Sequence, residues 1–303
     1  MPERPRILVV PGRSWLADAV REGGAEPVTD GEAEAVVWTD PKDPEGLRRL
    51  LDDQPGIRWV QLPWAGIEPY LPVLDADRRW TCGKGVYAEP VAEQALMLAL
   101  AGLRGMGTYA RATTWEGPIG RNLLGARVVV VGGGGITESL LRLLGPFGCE
   151  VVVVRRREAP LEGAARVVAL DRLDDQLPAA DLVVLAVALT PETDGLFDER
   201  RLRLLPGHAW IVNVARGRHI VTDDLVRVLD EGAIGGAGLD VTDPEPLPDG
   251  HPLWGHPRCL LTPHVGNTPE MAVPLLAGRV RENVRRYLAG EELLGPVDVD
   301  AGY

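Results

Sequence analysis

The sequence predicts an α/β protein with two doubly wound parallel sheets, and three observations carry that prediction. Short apolar runs that stop at turn residues recur along the chain, as strands buried on both faces do. These runs alternate with helical stretches, the order that parallel crossover connections require. Between two such groups lies a stretch from Pro90 to about Gly105 that reads as one long helix linking two domains. With 303 residues the chain is long enough for two domains of ordinary size.

Taken in order, Arg6-Ile7-Leu8-Val9-Val10 is a strand stopped by Pro11-Gly12, and a helical stretch runs from near Trp15 to Glu22. Ala35–Trp38, Ile57–Leu62 and Trp80–Cys82 supply further strands, which makes residues 1–92 an α/β unit of their own. Residues 93–269 form the second unit. It opens with the strand Arg127–Val131, four glycines and an apolar helix around Ser139–Leu144. Val151–Val154, Asp181–Val187, Trp210–Val214, Gly236–Val241 and Cys259–Leu261 bring its strands to six. Pro269 to Leu288 reads as a helix that returns to the first unit, so residues 270–303 complete that unit.

Composition narrows the partners. Hydrophobic residues at 45% and charged residues at 25% are ordinary for a soluble globular enzyme. A net charge of -12 argues against nucleic acid, whose phosphates need a basic face. It leaves small anions open, because a few arginines reverse the field inside a cleft. Three cysteines with no CxxC spacing point to reduced thiols in the cytoplasm rather than disulfides or a zinc site. The N-terminus starts a strand at once without a cleavable signal. No apolar run approaches the roughly 20 residues that span a bilayer. The expectation is a cytoplasmic protein with no membrane, nucleic-acid or metal partner.

Gly132-Gly133-Gly134-Gly135-Ile136-Thr137 lies between a strand and a helix, the context in which a glycine loop cradles a dinucleotide. Gly132 permits the tight turn, and Gly134 lets backbone approach a pyrophosphate at the helix N-terminus; Gly135 and Ile136 lead into that helix. Thr137 replaces the third glycine of the fingerprint. It either shifts the helix or donates its hydroxyl to a phosphate. The second strand ends Val154-Arg155-Arg156-Arg157, with Arg155 where an NAD site carries an acidic residue. Guanidinium groups at Arg155 and Arg156 pair with a 2′-phosphate, so NADP is expected, with NAD as the other candidate. A solvated basic strand end is the plain alternative.

Three residues carry candidate chemistry. Arg216 ends Asn213-Val214-Ala215-Arg216, Glu245 lies in Asp243-Pro244-Glu245-Pro246, and His264 follows Pro263. A guanidinium that stays charged anchors a carboxylate. An imidazole is suited to give a proton to a carbonyl oxygen during reduction, and a carboxylate beside it holds the ring and favours its charged form. Together they fit the reduction of a 2-oxo acid. Asp240, at its strand end, positions the nicotinamide side or tunes the site. Each has a plainer reading: a surface arginine, an exposed turn glutamate, a structural loop histidine. His208, His219, His251 and His256 lie in polar or turn-like surroundings and read as solvated.

As an ordered set these motifs resemble the D-isomer-specific 2-hydroxyacid dehydrogenases. The resemblance runs from Leu124 to Thr268 through Gly125, the glycine loop, Leu189-Thr190-Pro191-Glu192-Thr193, Asn213–Gly217, Gly238–Val241, Glu245-Pro246-Leu247, His251-Pro252-Leu253-Trp254 and Thr262-Pro263-His264. It implies two Rossmann-like domains, a flavodoxin-like substrate domain and a dinucleotide-binding domain. Arg216 then binds substrate, Glu245 and His264 form the acid/base pair, and Thr190, Val214, Ala215, Asp240 and Gly266 lie on the cofactor. Trp64-Ala65-Gly66-Ile67 is similar to the loop whose N–H groups grip the substrate carboxylate. Trp64 there limits the substrate's side chain, or is a core or interface tryptophan.

The short first domain, the arginines after the second strand and the Val297-Asp298…Gly302-Tyr303 tail resemble the glyoxylate/hydroxypyruvate reductase branch. The resemblance also implies a homodimer, with Trp115 in an inter-subunit arm. Departures from the pattern are Thr137, Arg155, Ala188 and Val221. Formate enzymes carry glutamine where Glu245 stands, and phosphoglycerate dehydrogenases add a C-terminal domain. A dinucleotide-sensing binding protein, such as corepressors that resemble this family, is the non-catalytic alternative.

Overall fold

A computed structural model describes residues 4–299. In chain order its strands are β1 (Arg6–Val10), β2 (Glu26–Val28), β3 (Ala35–Trp38), β4 (Trp59–Gln61), β5 (Arg79–Thr81) and β6 (Arg127–Val131), followed by β7 (Glu150–Val154), β8 (Arg166–Val168), β9 (Leu182–Leu185), β10 (Trp210–Asn213), β11 (Gly236–Leu239) and β12 (Cys259–Leu261). The helices are α1 (Ser14–Glu22), α2 (Pro44–Asp53), α3 (Ala88–Leu103), α4 (Met106–Tyr109), α5 (Gly135–Leu144), α6 (Glu199–Leu202), α7 (Thr222–Asp230), α8 (Pro252–Gly255) and α9 (Pro269–Ala289). None of them is long and apolar enough to cross a membrane. Gly302 and Tyr303 of the expected tail motif lie outside the described residues.

Two units emerge. One comprises the residues up to Tyr87 together with those from Thr268 onward, and the other is Ala88–Asn267.

The first unit is a five-stranded parallel sheet in the order β2-β1-β3-β4-β5, the flavodoxin-like winding. β2 is an addition to the expected strands. It has three residues, and Pro27 is tolerated because the strand lies at the sheet edge, where a missing N–H breaks no ladder. α1 packs against α9, and Gly23 allows this: a Cβ there would stand 2.6 Å from the Val284 Cβ. One fully buried polar network joins α9 to the sheet. Asn283 donates to the Gln61 side-chain oxygen and to the Leu294 carbonyl, both at 2.9 Å, and accepts from the Leu294 N–H at 2.8 Å. Gln61 also accepts from the Thr81 hydroxyl at 2.9 Å, which in turn accepts from the Trp59 indole at 2.8 Å. Each member has its partners, as buried polar groups require. Asn283→Ala is therefore expected to cost about 2–4 kcal/mol, since it leaves several of these groups unmatched. Urea unfolding checks this, and a loss below about 0.5 kcal/mol, the scatter of plain surface changes, would deny the network that role.

The second unit holds a seven-stranded parallel sheet, ordered β12-β11-β10-β9-β6-β7-β8. Six of its strands match the expected positions, and β8 is the seventh. β6, β7 and β9 are rich in valine or leucine, and they and β10 are almost wholly buried, as strands covered on both faces are. The strand order reverses between β6 and β9, which creates the crevice where such sheets bind ligands. The loops after β6, β9, β10, β11 and β12 all open at this carboxyl end.

Candidate active site

β6 delivers the glycine loop to the reversal point. Gly132 has φ 116°, and a Cβ there would stand 2.1 Å from the Ala186 carbonyl oxygen, so only glycine fits. Gly134 caps α5 with extended backbone, and no heavy atom lies within 4 Å of where its Cβ would be. The first N–H groups of α5 have no intrahelical partner, so this open corner suits an anionic phosphate. Thr137 corrects one expectation. It is wholly buried, and its hydroxyl donates to the Gly132 carbonyl at 3.0 Å rather than to a ligand. It therefore closes the loop from behind.

Arg155 leaves β7 and lies across the same loop. Its guanidinium donates to the Gly133 carbonyl at 3.4 Å and to the Ala159 carbonyl at 2.5 Å. Two carbonyls orient the cation without neutralising it. Arg156 and Arg157 beside it are exposed. Thr190 lies in the loop after β9, where its N–H donates to the Thr193 hydroxyl at 2.8 Å.

The loop after β10 is built by Asn213. Its amide donates to the Arg216 carbonyl at 2.8 Å and accepts from the Ala215 N–H at 3.0 Å, which fixes Val214 and Ala215 in a buried turn and projects Arg216. The Arg216 guanidinium donates to the Ala215 carbonyl at 2.8 Å. Gly217 then touches the loop after β11, since its Cβ would lie 1.9 Å from the Thr242 carbonyl oxygen. Glu245 stands three residues beyond that contact.

His264 stands after β12 with φ 53°, a left-handed backbone unusual for a residue other than glycine. Its N–H donates to the carbonyls of Asp240 at 2.8 Å and Thr262 at 3.0 Å. Its Nδ1 lies 2.6 Å from the Glu245 carboxylate, and both side chains remain exposed. Asp240 organises the turn. Its buried carboxylate accepts from the Thr262 hydroxyl at 2.6 Å, the Val265 N–H at 3.0 Å, the Gly266 N–H at 2.9 Å and the Gln94 amide at 3.2 Å. The four donors hold the carboxylate in place at the end of β11, and the Gly266 N–H is one of them.

Among the histidines, His219 departs from its reading as solvated. It is fully buried, with Nδ1 2.8 Å from the Thr193 carbonyl oxygen and Nε2 3.1 Å from that of Val187. Burial pushes its imidazole below the ordinary range, against carbonyl contacts that favour the charged form. It ties the loop after β9 to the loop that carries Arg216. Neither this tie nor the Gln94–Asp240 bond has a local signature, because the partners are far apart in the chain.

In the first unit, Trp64-Ala65-Gly66-Ile67 follows β4. Trp64 is 40% exposed and lies against the Tyr87 ring at 5.8 Å, so it is no core residue. The Trp64 carbonyl accepts from the Gly83 N–H at 2.8 Å, and the Tyr87 hydroxyl donates to the Pro63 carbonyl at 2.9 Å.

Comparison with known proteins gives a consistent picture. The family described as "D-isomer specific 2-hydroxyacid dehydrogenase, NAD binding domain" matches residues 94–266. A glyoxylate/hydroxypyruvate reductase A of Yersinia enterocolitica is 32% identical over 176 residues, which are 57% of this chain and 55% of that protein. A D-isomer specific 2-hydroxyacid dehydrogenase of Xanthobacter autotrophicus Py2, solved with NADPH and MES, is similar with a TM-score of 0.85 and 27% identity, covering 99% of this chain and 100% of that one. The NADPH-dependent glyoxylate/hydroxypyruvate reductase of Sinorhizobium meliloti, solved with NADP and sulfate, gives 0.83 and 25%, with 99% and 100% covered.

Proposed function

The chain belongs to the D-isomer specific 2-hydroxyacid dehydrogenase family, NAD(P)-dependent oxidoreductases, and from that premise we propose that it reduces a small 2-oxo acid of the glyoxylate or hydroxypyruvate type to the D-2-hydroxy acid, with NADP(H) preferred. The observation that carries this reading is the 2.6 Å pairing of His264 with Glu245, on loops leaving two neighbouring strands, with Arg216 on the loop from the next.

The residues divide the work as follows. The open corner at Gly134 and the N-terminus of α5 fit a pyrophosphate, with Gly132, Gly135 and Ile136 shaping the approach. Arg155 and Arg156 meet a 2′-phosphate, and Thr190, Val214 and Ala215 line the cofactor side. When bound, the reduced dinucleotide supplies hydride to the substrate's carbonyl carbon. Arg216 and the N–H groups of Trp64, Ala65, Gly66 and Ile67 hold the carboxylate. Glu245 accepts from His264 Nδ1–H, which fixes the ring so that Nε2–H faces the carbonyl oxygen and gives up its proton there.

A cytoplasmic homodimer is part of the same reading. The dimer is supported by the exposed apolar groove on α3 and α4, lined by Leu96, Met97, Leu100 and Met106, and by the fully exposed Trp115.

A panel of 2-oxo acids, each with NADPH and NADH, tests the proposal. Turnover of glyoxylate or hydroxypyruvate with higher kcat/KM for NADPH is the expected result, and no oxidation of either cofactor with any acid would sink it. Arg155→Asp should lower kcat/KM for NADPH by about tenfold to a hundredfold, the worth of a charge-assisted pair, and spare NADH. Equal loss with both cofactors would remove Arg155 from the choice.

A further inference from the structure

Helix α9 carries Arg279, whose side chain reaches the loop after β5. Its Nη1 donates to the Lys84 carbonyl at 3.1 Å and to the Cys82 carbonyl at 3.3 Å. These carbonyls flank Gly83, whose N–H holds the Trp64 carbonyl. Gly83 is packed so closely that a Cβ would stand 2.9 Å from the Tyr87 ring and 3.0 Å from the Pro63 carbonyl oxygen. The guanidinium is thus one hydrogen-bonded layer behind the Trp64–Ile67 loop.

Among the described residues no carboxylate compensates this charge. Its hydrogen-bond partners are the two carbonyls, and the ionisable groups that bear on it are Cys82, Tyr87 and the like-charged Arg286. Burial is the largest influence and pushes the guanidinium below the ordinary arginine range. Its neighbours on the helix differ: Arg285 and Arg286 both pair with Glu282, and Arg285 with Glu291 as well. A half-buried cation that lacks an anion costs free energy, and the cost is recovered when an anion binds nearby.

We propose that Arg279 is an anion-selecting positioning residue: its charge draws the substrate carboxylate onto the N–H groups of the Trp64–Ile67 loop while its carbonyl contacts brace that loop from behind. The inference rests on the reading of this loop as the carboxylate site. It deepens that reading, because it assigns selection for anionic substrates to a side chain on α9.

The test uses oxalate as a planar carboxylate probe, with its binding measured by calorimetry on the full chain saturated with NADP, beside KM and kcat for glyoxylate. Arg279→Gln keeps a donor for the carbonyls and removes the charge; Arg279→Lys keeps the charge. A unit charge several ångströms away in a partly buried setting is worth about tenfold in binding. Arg279→Gln should therefore weaken oxalate binding and raise the glyoxylate KM by about that factor, with kcat and the NADPH KM little changed. Arg279→Lys should stay within about threefold of the parent. Equal impairment of both variants would make Arg279 a brace only, and no impairment in either would also overturn the proposal. If Arg279→Gln does not fold, Arg279→Met carries the same prediction. Absence of turnover with charge-dependent oxalate binding would instead defeat the reductase reading and leave this inference standing.

Discussion

Replacing His264 with asparagine is expected to lower kcat for 2-oxo acid reduction by about a hundredfold to ten-thousandfold, the usual worth of a positioned general acid. Dinucleotide affinity should be nearly unchanged. Asparagine is chosen because the position has φ 53°, a region that asparagine tolerates better than most residues, so the turn should survive. The turn is also held independently of the ring: the His264 N–H binds two carbonyls, and Asp240 holds Thr262, Val265 and Gly266. What the substitution removes is the imidazole 2.6 Å from Glu245. Stopped-flow turnover and fluorescence titration of NADPH separate the two effects. Turnover close to that of the parent would take His264 out of the mechanism.

The parts of the fold legible in the sequence are those with continuous apolar runs. β6, β7 and β9 to β11 lie inside the sheet and are buried along almost their whole length, and the edge strand β12 is apolar throughout, so the runs stand out. β2 and β8 escape a sequence reading for one physical reason. Each is a three-residue edge strand with an exposed first residue, Glu26-Pro27-Val28 and Arg166-Val167-Val168, and too little of either is buried to leave a pattern. The same division holds in the site. Arg216, Glu245 and His264 can be read because each sits in a local motif. The hydrogen bonding of Asp240 cannot be read from its motif because its partner Gln94 is 146 residues away, and only the fold reveals that the carboxylate has four donors. His219 looks solvated between Arg218 and Ile220, yet the carbonyls that enclose it come from Val187 and Thr193. Thr137 reads as a departure from a glycine fingerprint, and its hydroxyl turns out to meet the inward face of the loop.

A second large effect is expected where no functional group is touched. Gly217→Ala should lower stability by about 3 kcal/mol, at the upper end of the cost of overpacking, and reduce kcat with it. The added Cβ would stand 1.9 Å from the Thr242 carbonyl oxygen, 2.0 Å from its carbon and 2.5 Å from the Asp243 nitrogen. All three are backbone atoms, so no side chain can rotate away, and the two loops must separate. Arg216 lies immediately before this contact and Glu245 shortly after it, so the separation moves the proposed substrate anchor relative to the acid/base pair. A displacement of that kind reduces rate even when every reacting group is present. Gly278→Ala gives the opposite sign and serves as the control. Gly278 is inside α9 with no heavy atom within 4 Å of where an alanine methyl would stand, and alanine there gains roughly 0.5–1 kcal/mol from helix propensity. Thermal melts should place Gly217→Ala about 6–12 °C below the parent, at about 2–4 °C for each kcal/mol, and Gly278→Ala slightly above it. If Gly217→Ala melts with the parent, the close approach of the two loops is not what sets the geometry of the site.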